Sequence, residues 1–163
     1  MPEVLFAPWR YEYLVAEKSS GCIFCEAASS SDEDGSLVVY RGKKVFVLLN
    51  RYPYTNGHLM VAPYDHTARL SDSPEETLTE LVQTVARGEA ILGENYRTDG
   101  LNVGLNLGSA AGAGVSDHYH VHIVPRWSGD TNFMTVAGNV RVVPEDLAVT
   151  RRRLAPLFAG GAS

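Results

Sequence analysis

The chain predicts an α+β protein built on a mainly antiparallel sheet. Three stretches carry that expectation. Leu37 to Tyr40 and Val45 to Leu49 are strand-forming runs on either side of Arg41-Gly42-Lys43, the pattern of a hairpin. From Ser73 onward, apolar residues recur at helical spacing. Between Asp117 and Trp127, polar and apolar residues alternate as they do along a strand with one face on a core.

In chain order, the first residues include Phe6, Pro8, Trp9, Tyr11 and Tyr13, an aromatic arm expected to dock on the body of the protein. Cys22-Ile23-Phe24-Cys25 contains both cysteines; in a reducing compartment it reads as a metal or redox unit, and otherwise as two buried thiols. Ser29 to Gly35 is polar and expected to be flexible. After the hairpin, Asn50 to Gly57 is turn-rich, and His58 to Ala62 begins another strand. Ser73 is expected to cap a helix, with Pro74 at its first position and Glu76 completing a capping box. Leu78, Leu81, Val82, Val85 and Leu92 then form one apolar stripe, and Gly100 ends the region. Leu101 to Leu107 reads as a strand, followed by the small-residue loop Gly108 to Gly114 and the histidine strand. Asn139 to Val143 adds a short strand and Pro144 to Leu157 a final helix.

A single domain over residues 1–163 accounts for this order, with an N-terminal arm and cysteine pair (1–36) and a C-terminal extension (128–163). A chain of this length buries a core without disulfide staples. With 14 Lys+Arg against 19 Asp+Glu, and no basic stripe outside Arg151-Arg152-Arg153, nucleic acid is not an expected partner. Those arginines are expected on the exposed side and end of the last helix. No apolar run approaches the roughly 20 residues that span a bilayer. Met1-Pro2-Glu3-Val4 has no basic region leading into an apolar stretch, so a cytoplasmic location without a membrane partner is expected.

Three of the five histidines, His118, His120 and His122, occupy every second position. A strand places them on one face, about 7 Å apart at a rise of roughly 3.3 Å per residue, with Tyr119, Val121 and Ile123 on the other. Each imidazole carries a donor and an acceptor that need partners, so such a ladder is poor core material and marks a site. Ahead of it, Gly108, Gly112 and Gly114 let backbone N–H groups approach an anion, although no Gly-Lys-Ser/Thr closes the loop as in a P-loop. That loop leading into co-facial imidazoles suggests phosphoryl chemistry, with an imidazole as nucleophile or base. Asn50 and His58 flank one loop and Asn106 ends the strand before the glycines; singly, each also fits a turn or cap.

His118-Tyr119-His120-Val121-His122-Ile123-Val124, continuing into Pro125-Arg126, resembles the signature of the histidine triad (HIT) superfamily and its Fhit-like branch. Asn50-Arg51 with Gly57-His58 is similar to that branch's substrate loop. Asn56 to Tyr64 and Gly129 to Phe133 resemble bacterial members that process diadenosine polyphosphates, phosphorylases included. The resemblance runs from about Leu37 to Trp127. It implies a HIT-like fold, an antiparallel sheet with two main helices, extended across a homodimer. It also implies an enzyme acting on phosphoanhydride bonds, a nucleotidyl hydrolase or transferase for an adenine nucleotide or a dinucleoside polyphosphate. In that reading His120 attacks the α-phosphorus and carries the nucleotide until water, or in a phosphorylase inorganic phosphate, removes it. His122 contacts phosphate oxygens, His118 orients its neighbours, His58 lies beside them and Asn50 holds the ribose hydroxyls. Asn106 with Gly112, Ala113, Gly114 and Val115 lines the phosphate pocket. The nucleophile itself needs no cofactor.

Many relatives carry Gly-Gln-Ser/Thr-Val before the triad, whereas Ala113-Gly114-Val115-Ser116 here lacks the Gln and the hydroxyl residue. His58, Ser116 and the substrate itself remain alternatives for protonating the leaving group. Resemblance to zinc-holding bacterial HIT proteins implies a structural zinc on Cys22, Cys25, His66 and His118. Two other readings compete. One is a zinc hydrolase with all three triad imidazoles as ligands; the other is a nucleotide-binding or signalling module with little turnover.

Overall fold

A computed structural model describes residues 21–31, 36–130 and 145–160. The aromatic arm, the strand expected at Asn139 to Val143, and Thr131 to Phe133 lie outside them. The elements are α1 (Ile23–Ser29), β1 (Val38–Arg41), β2 (Val45–Leu49), β3 (Leu59–Pro63), α2 (Glu75–Tyr96), β4 (Gly100–Gly104), β5 (Val121–Arg126) and α3 (Leu147–Ala159). Five strands form one sheet in the order β1-β2-β3-β5-β4, each neighbouring pair antiparallel. This is the expected α+β architecture, with α2 and α3 as its two main helices.

β2 and β3 are buried along their whole length, as central strands covered on both faces must be. On one face, Val45, Val47, Leu49, Leu59, Val61, Tyr119, Val121 and Ile123 form a core with Leu81 and Leu92 of α2 and Leu154 and Phe158 of α3. On the other, Phe46, Leu48, Met60 and Ala62 pack with Phe24 of α1. The period of two along each strand sorts the residues between these layers. Glu80 of α2 closes the hairpin by accepting from the backbone N–H groups of Lys43 (2.7 Å) and Lys44 (3.1 Å). Gly42 makes room, because a Cβ there would collide with that carboxylate.

Several boundaries differ from expectation, each for a tertiary reason. Ser73 does not cap α2: Pro74 holds the capping position without a side-chain bond, and the Ser73 hydroxyl pairs with the Tyr119 hydroxyl at 2.8 Å. Of the expected stripe, Leu81 and Leu92 are buried and Val85 packs on the core, whereas Val82 is 66% exposed; Thr77, Thr84, Gly88 and Ile91 complete the buried face of α2. Gly88 shows why: a Cβ there would lie 2.8 Å from Ile123 Cδ1, so small residues mark where the helix meets the sheet. The helix ends at Arg97, in the left-handed region at φ 48, ahead of Gly100. β4 stops at Gly104 rather than Leu107 because its pairing with β5 ends at Gly104 opposite His122. α3 begins later than expected, where the Asp146 side chain accepts from the Ala148 N–H. Of its three arginines, Arg151 donates to the Val38 carbonyl rather than facing only solvent. No helix among the described residues is long and apolar enough to cross a membrane.

Candidate active site

Pairing of β3 with β5 sets Met60 opposite His122 and brings His58, just before β3, against the triad. His118 and His120 precede the ladder of β5, yet the alternation persists: Tyr119 joins the helix-side core while His120 faces Phe24. Hydrogen bonds then set the tautomers. The Tyr54 N–H donates to His58 Nδ1 at 3.1 Å, so neutral His58 carries its proton on Nε2. That N–H donates to His122 Nδ1 at 2.9 Å, which leaves His122 with its own proton on Nε2. His120 is set the opposite way, because its Nδ1–H donates to the His118 carbonyl at 3.0 Å and Nε2 keeps a lone pair. The two rings cross at 75° with centroids 4.8 Å apart. Side by side they offer a bare nitrogen and an N–H donor.

Burial disfavours the charged form of all three triad imidazoles and lowers their pKa values, His122 to about 4 with the nearby His120 adding to the effect. All are therefore neutral near pH 7. His58 is 1% exposed with both ring nitrogens engaged, a place from which it holds His122. Asn50 Oδ1 accepts from the Tyr52 N–H at 2.9 Å, and its amide nitrogen lies 3.4 Å from His58 Nδ1. Gly108 and Gly112, at φ 83 and 87, turn the small-residue loop through conformations that favour glycine. Asn106 lies beside it, its Nδ2 4.0 Å from where a Cβ on Gly112 would stand. Gly114 is exposed, Ala113 is half-buried, and Val115 packs its side chain on the Phe24 layer. Ser116 borders a cleft of about 480 Å³ with Arg69 and Gly108. A larger open cavity of about 1010 Å³, between the hairpin turn and α2, includes no triad residue and lacks this chemistry.

Behind the triad, the donor atoms of Cys22, Cys25, His66 and His118 lie within 4.8 Å of one another. His118 Nδ1 is 3.3 Å from Cys22 Sγ and 3.6 Å from Cys25 Sγ, and His66 Nδ1 is 3.3 Å from Cys25 Sγ. Tetrahedral zinc with S at ~2.3 Å and N at ~2.0–2.1 Å separates those donors by about 3.6 Å, so the set fits. The orienting contacts fit as well. His118 Nε2–H donates to the Pro63 carbonyl at 2.9 Å, turning its Nδ1 lone pair to the thiols, and Asp117 lies 3.4 Å from His66 Nε2. Burial, then Cys22, push the Cys25 thiol upward in pKa, a disfavoured thiolate that a bound cation would stabilise.

Sequence reasoning missed Phe24, which lies under His120, and Tyr54, whose backbone sets His58 and whose ring lies 6.1 Å from the His122 ring. The available signal was their position: an aromatic between two candidate ligands, and another within the turn-rich loop.

Residues 31–129 match the family model of the HIT domain. The chain belongs to the HIT domain family. The matched stretch of the HIT domain takes in all five strands, α2 and every triad histidine, with Cys22, Cys25 and α3 outside it. The chain is 42% identical over 164 residues to an AP-4-A phosphorylase of Mycobacterium tuberculosis, covering 95% of this chain and 84% of that protein. It is 34% identical over 96 residues to the asymmetrical bis(5'-nucleosyl)-tetraphosphatase of Schizosaccharomyces pombe, covering 59% of this chain and 52% of that one. Among solved structures, a Zn-bound histidine triad family protein from Mycobacterium smegmatis is similar at a TM-score of 0.69 and 31% identity, covering 85% of this chain and 94% of that one.

Proposed function

We propose that this HIT protein is an enzyme that transfers a nucleotidyl group from a dinucleoside polyphosphate through His120. The opposed tautomers of His120 and His122 carry the reading, because a lone pair and an N–H donor side by side suit in-line attack on an anionic phosphorus centre. Nε2 of His120 bonds to the α-phosphorus while the bridging P–O bond breaks, and the departing nucleoside polyphosphate keeps the electron pair. The His122 N–H and the backbone N–H groups of Gly114 and Val115 serve the phosphoryl oxygens, while the N–H groups of Gly112 and Ala113 close the loop on the carbonyls of Ser109 (3.0 Å) and Gly108 (3.3 Å) and shape that side of the pocket, with Asn106 beside them and Asn50 on the ribose. An acceptor oxygen then attacks phosphorus, the P–N bond breaks and neutral imidazole returns.

The relative named AP-4-A phosphorylase, matched along 95% of this chain, supports inorganic phosphate as that acceptor. The tetraphosphatase of Schizosaccharomyces pombe favours water as the second reading. With diadenosine tetraphosphate, the first step releases ATP, after which phosphate releases ADP and water releases AMP. ADP formed only when phosphate is present supports phosphorolysis; AMP in plain buffer supports hydrolysis. His120→Asn is expected to lower turnover by about 1000-fold or more while nucleotide binding persists. Unchanged turnover would remove His120 as nucleophile.

Zinc on Cys22, Cys25, His66 and His118 belongs to the same proposal. Bound there, it supplies a structural cross-link between α1 and the triad, and leaves His120 and His122 for chemistry. Elemental analysis is expected to find stoichiometric zinc that Cys25→Ser loses; protein purified without metal, and equally stable in chelator, contradicts the assignment. A single domain over 1–163, a cytoplasmic location and a homodimer complete the reading.

A further inference from the structure

We infer that Phe24 is a positioning residue for the nucleophile, and that α1, pinned at both ends, holds it in place. The inference rests on the proposed transfer through His120 and deepens it. Among the described residues, His120 makes one ring hydrogen bond, from Nδ1–H to the His118 carbonyl at 3.0 Å. Nε2 has to stay open for attack on phosphorus. A single bond at one edge leaves the ring able to swing about its side-chain torsions, so packing must supply the remaining constraint. Phe24 supplies it. Its side chain is fully buried, its ring lies 4.4 Å from the His120 ring at 31°, and it reaches the His118 ring at 5.1 Å. His122 bounds His120 from another direction, crossing it edge-on.

Phe24 cannot hold that place unaided. α1 has seven residues, well short of a helix that persists alone. At its start, Cys22 and Cys25 meet His118 Nδ1 at 3.3 and 3.6 Å. At its end, the Arg41 guanidinium donates to the carbonyls of Ala28 (2.7 Å), Ser30 (2.9 Å) and Ala27 (3.0 Å), acceptors that a helix terminus leaves without internal partners. Arg41 sits on the edge strand β1, across β2 and β3 from the triad strand. Its influence on the chemistry therefore passes through α1.

The test uses the full chain with diadenosine tetraphosphate and the variants Phe24→Ala, Phe24→Leu and Arg41→Met. Single-turnover formation of the nucleotidyl-enzyme, affinity for a non-cleavable dinucleotide and the His120 tautomer by nitrogen-15 NMR are measured. Phe24→Ala is expected to slow the transfer step about 10- to 100-fold with affinity changed less than about twofold, and to replace the single Nδ1–H tautomer by a mixture. Phe24→Leu, which keeps most of the volume, restores most of the rate. Arg41→Met slows transfer in the same direction, and the double variant is no slower than Phe24→Ala, since both act through one contact. An unchanged rate and tautomer in Phe24→Ala overturn the inference, as do rate and affinity falling together, which makes Phe24 a nucleotide contact. Should Phe24→Ala not fold, Arg41→Met decides: an unmoved tautomer and rate overturn it. The tautomer is read without turnover, so a failure of transfer through His120 is distinguishable from a failure of the positioning role.

Discussion

His122 loses much of the hydration an imidazolium needs by lying between His58 and His120, and its pKa falls to about 4. In the unfolded chain the same ring protonates near 6.5. The stability this neutral ring contributes is therefore complete above about pH 6.5 and is lost as pH falls toward 4, because only the unfolded state takes up the proton across that window. At pH 5 the loss from this residue is below about 2 kcal/mol, because water still reaches the half-buried ring and screens part of the effect. Urea unfolding at pH 7 and pH 5 checks it: the fall in midpoint should be smaller in His122→Phe than in the parent chain, and an equal fall contradicts the assignment. The ladder itself was legible in the sequence because the period of two is local. Its division of labour was not. Which nitrogen of each ring carries the proton depends on the Tyr54 N–H, the Pro63 carbonyl and a His58 partner 64 residues away, and no spacing encodes those contacts.

At the scale of elements, the hairpin, the long helix and the triad strand were readable from pattern, while the face of α2 was readable only in part: Leu81 and Leu92 are buried and Val85 packs on the core as expected, and Val82 is exposed. The apolar stripe centres the buried side too near Val82, because beside Leu81 and Leu92 the helix packs with Thr77, Thr84 and Gly88 inward. Close approach to a sheet rewards small residues, and a count of apolar side chains cannot register that. Gly88 makes the point testable. Leu59 Cδ1 and Phe158 Cζ both lie 3.8 Å from where its Cβ would stand, and Ile123 lies closer still, so the contact joins α2, β3, β5 and α3. Gly88→Leu should destabilise the protein by about 3 kcal/mol through overpacking, despite leucine's better helix propensity. Chemical denaturation measures it; a midpoint equal to or above that of the parent would show that α2 can move off the sheet at no cost. Capping failed as a guide at Ser73 for a related reason, since its hydroxyl serves Tyr119 of the triad segment in place of its own helix.

For the whole molecule, the two edges of the sheet are managed differently. β1 is covered, with Val38 and Val39 buried, Arg151 bound to the Val38 carbonyl and Arg41 bound to α1. Among the described residues β4 is open: Gly100-Leu101-Asn102-Val103-Gly104 has no lysine, proline or acidic residue, and Val103 is 49% exposed. Edge strands of soluble proteins normally carry such guards against pairing with another chain. An unguarded edge is explained if a second copy adds its own β4 antiparallel about a two-fold axis, where one patch serves both partners. This is the geometric argument for the proposed homodimer, and it selects the variant that tests it. Val103→Asp places like charges near each other across the paired edges, where facing charges of one sign are unfavourable. Sedimentation is expected to give a dimer for the parent chain and a monomer for Val103→Asp, with the five strands of each copy still folded by circular dichroism. A parent chain that sediments as a monomer at tens of micromolar would leave the open β4 edge unexplained and remove the homodimer from the proposal.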